Sequence, residues 1–434
     1  MLDISYVRDN VARVKEFSKQ KGYKVNVDEV VDLDDRRKNL QQAIDRLRGQ
    51  RNQIADEAGN RPGKPSGELV ERGKRIKEEL SGLEEELDFI EREFYRVLKT
   101  IPNIPAEDVP VGSSEDENVV TEYVGEKPDF DFTPLNHWEI GQQRDWIDKE
   151  RAAKVAGSRF AYIKNDMVKL EFAIIRLATD ILSDEAKIKE IASKAGLKNV
   201  STKPFMPILP PLMIKTELYD AMDRLQPQDD RYKLEDEDLW LQGSAEHVLG
   251  SMYADEILNE SELPLRMLGF ATSFRKEAGT YGKDMEGILR VHQFDKLEME
   301  SFTTAEAGME EHLLFVAIQR HLLELLEIPY RVVLKCTADI GKPNARGVDM
   351  EAWLPGQDKY RETHTADYMT DYQSRRLKTR VRRETGDIEL VHTNDATAFA
   401  LGRTMIAVIE NGQTQDGKVR LPKILQEYLG KEEI

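Results

Sequence analysis

FATSFRKEAGTYGKDMEGILRVHQFDKLEMESF, residues 270–302, decides the reading of this chain. Its two ends have strand character. LGFATSFR, entering from Leu268, is rich in β-branched and aromatic residues, and VHQFDKLEMESF alternates from Phe294 to Phe302. Gly269, Gly279, Gly282 and Gly287 punctuate the middle and its flank, with charges between them. The pattern predicts two antiparallel strands joined by a long mobile loop. On alternating positions of such strands Arg275, Glu277, Phe294 and Glu298 can share one face. An arginine to neutralise phosphate, a ring to stack on a base, and carboxylates to hold a metal ion or an amine suit a nucleotide. More familiar nucleotide motifs fail: there is no G-x-G-x-x-G and no Walker A, and GTYGKD (279–284) has the wrong spacing for a P-loop. H-E-x-x-H and a Ser/His/Asp signature are absent as well.

Outward from this stretch, the segment from Val168 to about Ala195 has helical apolar spacing and stops before Gly196. STKPFMPILPPLMI (201–214) is extended, and its prolines exclude a central strand. IPNIPAEDVPVGSSEDENVV (101–120) has the Pro, Gly and acid content of a linker. Before it lie two long helices. Leu33, Leu40, Leu47 and Ile54 recur every seven residues. So do Leu69, Ile76, Leu83, Ile90 and Val97, interleaved with Leu80, Leu87, Phe94 and Ile101. Two interleaved sevens make a coiled-coil seam. GNRPGKPSG (59–67) interrupts it, so an antiparallel hairpin is expected, its second helix roughly 50 Å long. From Arg36 to Lys77 there are 12 Lys/Arg against 5 Asp/Glu; from Glu78 to Glu93, 8 acids against 1 base. Solvated coiled-coil faces account for this, and so does a tip that touches phosphates. The basic stretch has no aromatic residue, so an RNA contact there would rest on shape and backbone.

The whole chain has 434 residues, enough for two or three domains. Its formal net charge of −18 argues against coating nucleic acid by charge alone. No apolar run approaches a membrane span, and the first residues lack a signal h-region, so a cytoplasmic location is expected. A single Cys336 excludes an internal disulfide and a multi-Cys zinc site; it reads as a small buried residue.

FRKEAG, with Phe294 of HQFDKLE nineteen positions after Arg275, resembles motif 2 of the class II aminoacyl-tRNA synthetases. The resemblance is specifically to the seryl-tRNA synthetase family and covers essentially the whole chain. MLDISYVRDN is similar to the family's opening, IPNIPAEDVPVG to its linker, GSRFAYIKNDMVKLE (157–171) to the start of its catalytic domain, and LQGSAEHVL (241–249) to its serine-binding segment. WLPGQDKYRE (353–362) and ALGRTMIAVIEN (400–411) resemble its remaining active-site pieces, the latter motif 3. Seven pieces in the family's order exclude chance.

The resemblance implies an α+β fold: a class II antiparallel sheet of six to eight strands flanked by helices, with an N-terminal antiparallel coiled-coil hairpin. It implies a tRNA-binding domain over 1–110 and a catalytic domain over 111–434. It implies ATP-dependent activation of serine and transfer of the seryl group to serine tRNA, with selenocysteine tRNA as a further acceptor to consider. Arg275 matches the α-phosphate arginine, Lys276 and Glu277 its neighbours in the ATP site, and Phe294 the ring under adenine. Arg403 matches the arginine near the γ-phosphate and adenine. Glu362 and Thr365 match magnesium and ATP contacts, with Thr363 and His364 between them. Ser244, Ala245, Glu246 and Glu298 match the serine pocket, and Thr397 the reader of its hydroxyl. A homodimer is implied, with motif 1 in the helix before Gly196 and on through Pro210-Pro211, as are an arm that reaches the long variable arm of serine tRNA, magnesium, and no zinc.

Taken singly, Arg275 and Arg403 fit surface or salt-bridged residues, Phe294 a core ring, and Glu246 and Glu362 solvated acids; their joint spacing carries the reading. His292 reads as structural. The chain departs from the family at Ser244-Ala245-Glu246 (commonly Thr-Ala-Glu), Thr363-His364-Thr365 (Ile-Ser-Ser) and Asp395-Ala396-Thr397-Ala398 (Asn-Gly-Ser-Gly). Two rival readings are a class II paralogue that loads a carrier protein and a non-catalytic tRNA-binding homologue. The arm opposes the first; Arg275, Glu298, Glu362 and Arg403 oppose the second.

Overall fold

A computed structural model describes residues 1–60, 66–278 and 287–434. The centre of the predicted 59–67 break, and the GTYGKD run with most of the predicted loop, lie outside the described residues. The chain divides into two compact units, Met1–Ile104 and Pro105–Ile434.

The first unit has two short helices, α1 (Ile4–Asp9) and α2 (Val11–Gln20), then two long ones, α3 (Val27–Gly59) and α4 (Gly67–Leu98). The Asn26 side chain accepts from the Glu29 amide to start α3, and Ser66 accepts from the Leu69 amide to start α4. The pair is antiparallel: Arg36 meets Glu86 at 3.5 Å and Arg48 meets Glu84 at 2.8 Å. Both interleaved registers of α4 face inward, with Leu69, Leu80, Ile90, Phe94 and Val97 buried and Ile76, Leu83 and Leu87 half-buried. On α3 the seam carries Ile44 as well as Leu33, Leu47 and Ile54; Leu40 is only half-buried.

The second unit is built on an eight-stranded sheet. In chain order its strands are β1 (Val119–Val124), β2 (Met206–Ile208), β3 (Leu265–Phe274), β4 (Gln293–Thr303), β5 (Tyr330–Leu334), β6 (Arg346–Leu354), β7 (Lys359–Thr370) and β8 (His392–Ala400). In space the order is β1-β5-β6-β7-β8-β4-β3-β2. All neighbours are antiparallel except β2, which runs parallel to β3 at the edge. Pro207 is tolerated in β2 because that strand is an edge. The two strands predicted from residues 270–302 are β3 and β4, paired from Leu265↔Phe302 to Phe274↔Gln293.

Side-chain alternation gives the sheet two unlike faces. Leu297 and Met299 (β4), Ala396 and Ala398 (β8), Ala366 (β7) and Met350 (β6) join the main apolar core with helices α5 (Asp166–Leu182), α7 (Gly308–Leu325) and α8 (Leu401–Gly412). The opposite face carries Lys296, Glu298, Asp395, Thr397, Thr365 and Asp367, which line a cleft. The alternation expected in β4 is thus one of polarity; from Leu297 to Thr303 both faces are buried. The single helix expected from Val168 to Ala195 is two, α5 and α6 (Glu185–Lys194). The break follows from Asp184, whose carboxylate accepts from the Ala186 amide at 2.8 Å and starts a new helix. Cys336 is buried. Among the described residues no helix is long and apolar enough to cross a membrane.

Candidate active site

The cleft encloses about 600 Å³ over the polar face of the sheet. Ten of the expected residues line it: Glu246, Arg275, Glu277, Phe294, Glu298, Glu362, Thr363, Thr365, Thr397 and Arg403.

At one end are the cations and the ring. Arg275 follows the last residue of β3, its Nε donates to the Gly243 carbonyl at 2.9 Å, and its guanidinium carbon stands 5.4 Å from the Phe294 ring centre. The His292 ring nitrogen Nδ1 bonds the Arg275 carbonyl at 3.0 Å, and the Arg275 amide donates to the His292 carbonyl, so His292 fixes backbone. Glu277 has a left-handed backbone (φ 52°) and its carboxylate meets Arg290 at 2.6 Å. Arg403, in the first turn of α8, donates to the Glu362 carbonyl at 2.8 Å and meets its carboxylate at 3.3 Å.

Glu362 and Thr365 are three apart, a spacing that puts side chains on opposite faces of a regular strand. The register slips between Met350↔His364 and Glu351↔Glu362, leaving Thr363 as the extra residue of a bulge. The bulge returns Glu362 to the cleft face, where its carboxylate accepts from the Thr365 hydroxyl at 3.2 Å. The same hydroxyl also reaches Asp349 at 2.8 Å. The Glu362 side chain is half exposed in the cleft; the surrounding protein works against its ionisation, but Arg403 and Lys335 hold its carboxyl down to about 2. Burial pushes the Asp349 carboxyl up to about 7. Among the described residues no group of three or more His, Cys, Asp or Glu side chains stands ready to hold a metal ion. The hard oxygens of Glu362 and Thr365 still fit magnesium, which takes one or two carboxylates and draws its other ligands from phosphates and water.

At the other end is a buried charge cluster. Lys296 Nζ lies 2.5 Å from Glu298 and donates to Ser244 Oγ at 3.0 Å. Burial pushes Glu298 up to about 8, reinforced by Glu246 and Asp395 against the pull of Lys296. Burial alone would raise Glu246, yet His247, Lys296 and Arg224 outweigh it, and the group ionises well below the usual range. His247, 3.2 Å from Glu246, is itself pushed down to about 4 by burial. At neutral pH it is uncharged, so Lys296 and Arg224 carry the compensation. This end therefore holds more carboxyl groups than cations: Glu246 is ionised, and Glu298, largely protonated at neutral pH, gives up its proton as an ammonium group arrives.

Four expected residues do not line the cleft. Ser244 is fully buried behind Lys296. Ala245 packs in an apolar cluster with Leu249, Met267 and Phe302. Lys276 reaches out over the Tyr232 ring at 5.4 Å. His364 falls on the core face beyond the bulge, with Nδ1 2.8 Å from the Thr363 hydroxyl and its ring against Phe399, and burial pushes it down to about 3. Sequence reasoning missed Lys296, Arg224, Asp367, Asp349 and Arg290. Lys296 had a signal, since it alternates with Glu298 and Glu300 in DKLEME; Arg224, in a loop distant in sequence, had none.

Residues 1–105 match the family described as the seryl-tRNA synthetase N-terminal domain, and residues 232–412 the tRNA synthetase class II core domain (G, H, P, S and T). A serine–tRNA ligase of Dictyoglomus turgidum is 38% identical over 439 aligned residues, covering 100% of this chain and 99% of the relative. The crystal structure of seryl-tRNA synthetase from Pyrococcus horikoshii complexed with ATP superposes with a TM-score of 0.88 at 37% identity, over 100% of this chain and 99% of that one. The cytoplasmic serine–tRNA ligase of Naegleria fowleri in complex with AMP gives 0.84 at 28% identity, over 100% and 98%.

Proposed function

We propose, for a chain that belongs to the seryl-tRNA synthetase family, a division of labour along the cleft for the reaction of a serine–tRNA ligase. The protein activates serine with ATP and transfers the seryl group to tRNA. The serine carboxylate attacks the α-phosphorus of ATP, the bond to pyrophosphate breaks, and seryl-adenylate forms. The terminal ribose hydroxyl of the tRNA then attacks the seryl carbonyl and AMP leaves. Both steps need placement and charge stabilisation more than covalent help.

Arg275 takes the α-phosphate, Phe294 stacks under adenine, and Arg403 closes over the outer phosphates, with Glu277 orienting Arg290 at their side. Glu246 and Glu298 receive the serine ammonium, and Thr397 bonds the side-chain hydroxyl. A site built to bond that hydroxyl rejects alanine strongly. Glu362 and Thr365 would hold Mg²⁺, which when bound offsets phosphate charge. Residues 1–110 form the tRNA-binding domain and residues 111–434 the catalytic domain of a cytoplasmic homodimer. The arm meets serine tRNA through its basic half, where Arg36 and Arg48 are already paired with α4 acids. Exposed Phe172 on α5 and Leu209 and Leu212 beside Pro210-Pro211 accord with a dimer contact.

The observation that carries this reading is the convergence, in one cleft, of a phosphate-binding end (Arg275, Phe294, Arg403) and an ammonium-binding end (Glu246, Glu298). Amino-acid-dependent ATP–pyrophosphate exchange tests it. Exchange with serine and not with alanine, threonine or glycine is expected, and Arg275→Ala should abolish it. Exchange driven by another amino acid would overturn the specificity; near-normal exchange in Arg275→Ala would overturn the assignment of that residue.

A further inference from the structure

The amino-acid end of the cleft has a second row of charge beside the residues assigned to serine. Glu298 and Thr397 are register partners across β4 and β8. The next same-face positions on those strands, Glu300 and Asp395, are register partners as well. Asp395 is in turn the register partner of Asp367 on β7. Three carboxylates thus stand side by side on three adjacent strands, all buried. Glu300 makes no hydrogen bond through either carboxylate oxygen among the described residues.

Arg224 supplies the cation at the centre of this row. It lines the cleft, lies in the loop after the helix Thr216–Ala221 rather than on the sheet, and donates to Asp395 at 3.2 Å and to Asn344 at 3.5 Å. Its carbonyl accepts from Arg231 Nε at 3.2 Å. One residue therefore ties the cleft-lining loop of Pro227, Asp229 and Asp230 to β8. The charged groups acting most strongly on Arg224 are Asp395, Glu246 and Asp367; neither Glu362 nor Arg403 is among them.

We propose that Arg224 and Asp395 are a positioning pair for the amino-acid substrate, fixing how deep its ammonium sits without touching ATP. A buried carboxyl group deprived of its counter-ion either takes up a proton or draws a cation, and an ammonium group arriving beside it favours the second. In this cleft Lys296 is held by Glu298 at 2.5 Å, so the cation free to move toward Asp395 is the incoming ammonium. With Arg224 in place Asp395 is satisfied and the ammonium is left to Glu246 and Glu298. Without it Asp395 competes for the ammonium two residues further along β8, roughly 7 Å from Thr397. Serine bound there has its carboxylate out of reach of the α-phosphorus. The pair rests on the serine-activation reading above and deepens it.

Pyrophosphate exchange with Arg224→Gln, Asp395→Asn and the double variant, titrating serine and ATP separately, tests the pair, and thermal unfolding of each protein tests folding. In Arg224→Gln the serine KM should rise about tenfold or more while the ATP KM stays within about twofold. Asp395→Asn should also raise the serine KM, because Arg224, having lost its ion pair with Asp395, repels the ammonium. The double variant, neutral on both sides, should recover most of the loss, so the two effects fall well short of multiplying. A serine KM unchanged in Arg224→Gln would overturn the proposal. So would serine and ATP KM rising together with a lower melting temperature, which marks a packing role, or single effects that multiply in the double variant. If the wild type shows no serine-dependent exchange, the activation reading fails and the pair with it. A normal wild type with an unaffected Arg224→Gln sinks the pair alone.

Discussion

Glu300→Gln should stabilise the protein at neutral pH and do so increasingly as pH rises. Glu300 is fully buried, neither carboxylate oxygen has a hydrogen-bond partner among the described residues, and burial, Asp395, Glu246 and Glu298 push its carboxyl well above the ordinary 4.5, against a smaller pull from Arg224. The native state therefore keeps a proton that the unfolded chain gives up above about 4.5. Stability is lost as pH rises through that window. At pH 7 the cost is bounded by the work of protonating a free glutamate 2.5 pH units above its pKa, about 3 kcal/mol at 1.36 kcal/mol per unit. At pH 5 the same cost is under about 1 kcal/mol. Glutamine has the same shape and no proton to hold. The advantage of the variant should grow by about 2.5 kcal/mol between pH 5 and pH 7, or about 4 °C for a unit of this size. Paired thermal or urea unfolding at the two pH values measures it. A variant destabilised equally at both pH values, or whose advantage shrinks as pH rises, would refute the claim that Glu300 is held protonated.

Deleting residues 34–98, the bulk of the arm, should leave serine-dependent pyrophosphate exchange within about twofold and cut tRNA aminoacylation by orders of magnitude, since a tRNA bound through local phosphate contacts loses them; unchanged charging would remove the arm from tRNA recognition. Arg266 on β3 makes a two-pronged pair with Glu311, 2.7 Å on each side, and both are buried. Arg266→Met strands Glu311 and should cost about 3–5 kcal/mol, a melting temperature lower by about 4–7 °C in calorimetry. A shift under about 1 °C would mean that Glu311 finds another partner or takes up a proton.

Much of this architecture was legible in the sequence because it depends on period. A seven-residue repeat that places Leu69, Ile76, Leu83 and Ile90 on one stripe has few other ways to bury it. Strands β3 and β4 announced themselves by composition around a glycine-marked turn, and Arg275 and Phe294 by alternation along them, whereas Arg403 and Glu362 were marked only by the family resemblance. Legibility ended where period was broken or where partners came from afar. The bulge at Thr363 follows from pairing with β6, which no local pattern of β7 reveals; it sends His364 into the core and keeps Glu362 and Thr365 together. The break between α5 and α6 rests on one capping side chain that the apolar spacing runs straight across.

The sequence by itself thus determined the helical hairpin, the antiparallel pair at the centre of the cleft and the inventory of charged groups, because each is encoded in neighbouring residues. Only the tertiary structure decided how that inventory is charged. Glu298 pushed up to about 8, Glu362 held down to about 2 and Asp395 pushed up to about 7 are all glutamates or aspartates on sheet strands. They differ by burial and by which cation folding delivers to each: Lys296 from the same strand, Arg403 from a helix, and Arg224 from a loop 171 residues away. A carboxylate's affinity for its proton is set by through-space desolvation and charge, and sequence order carries neither.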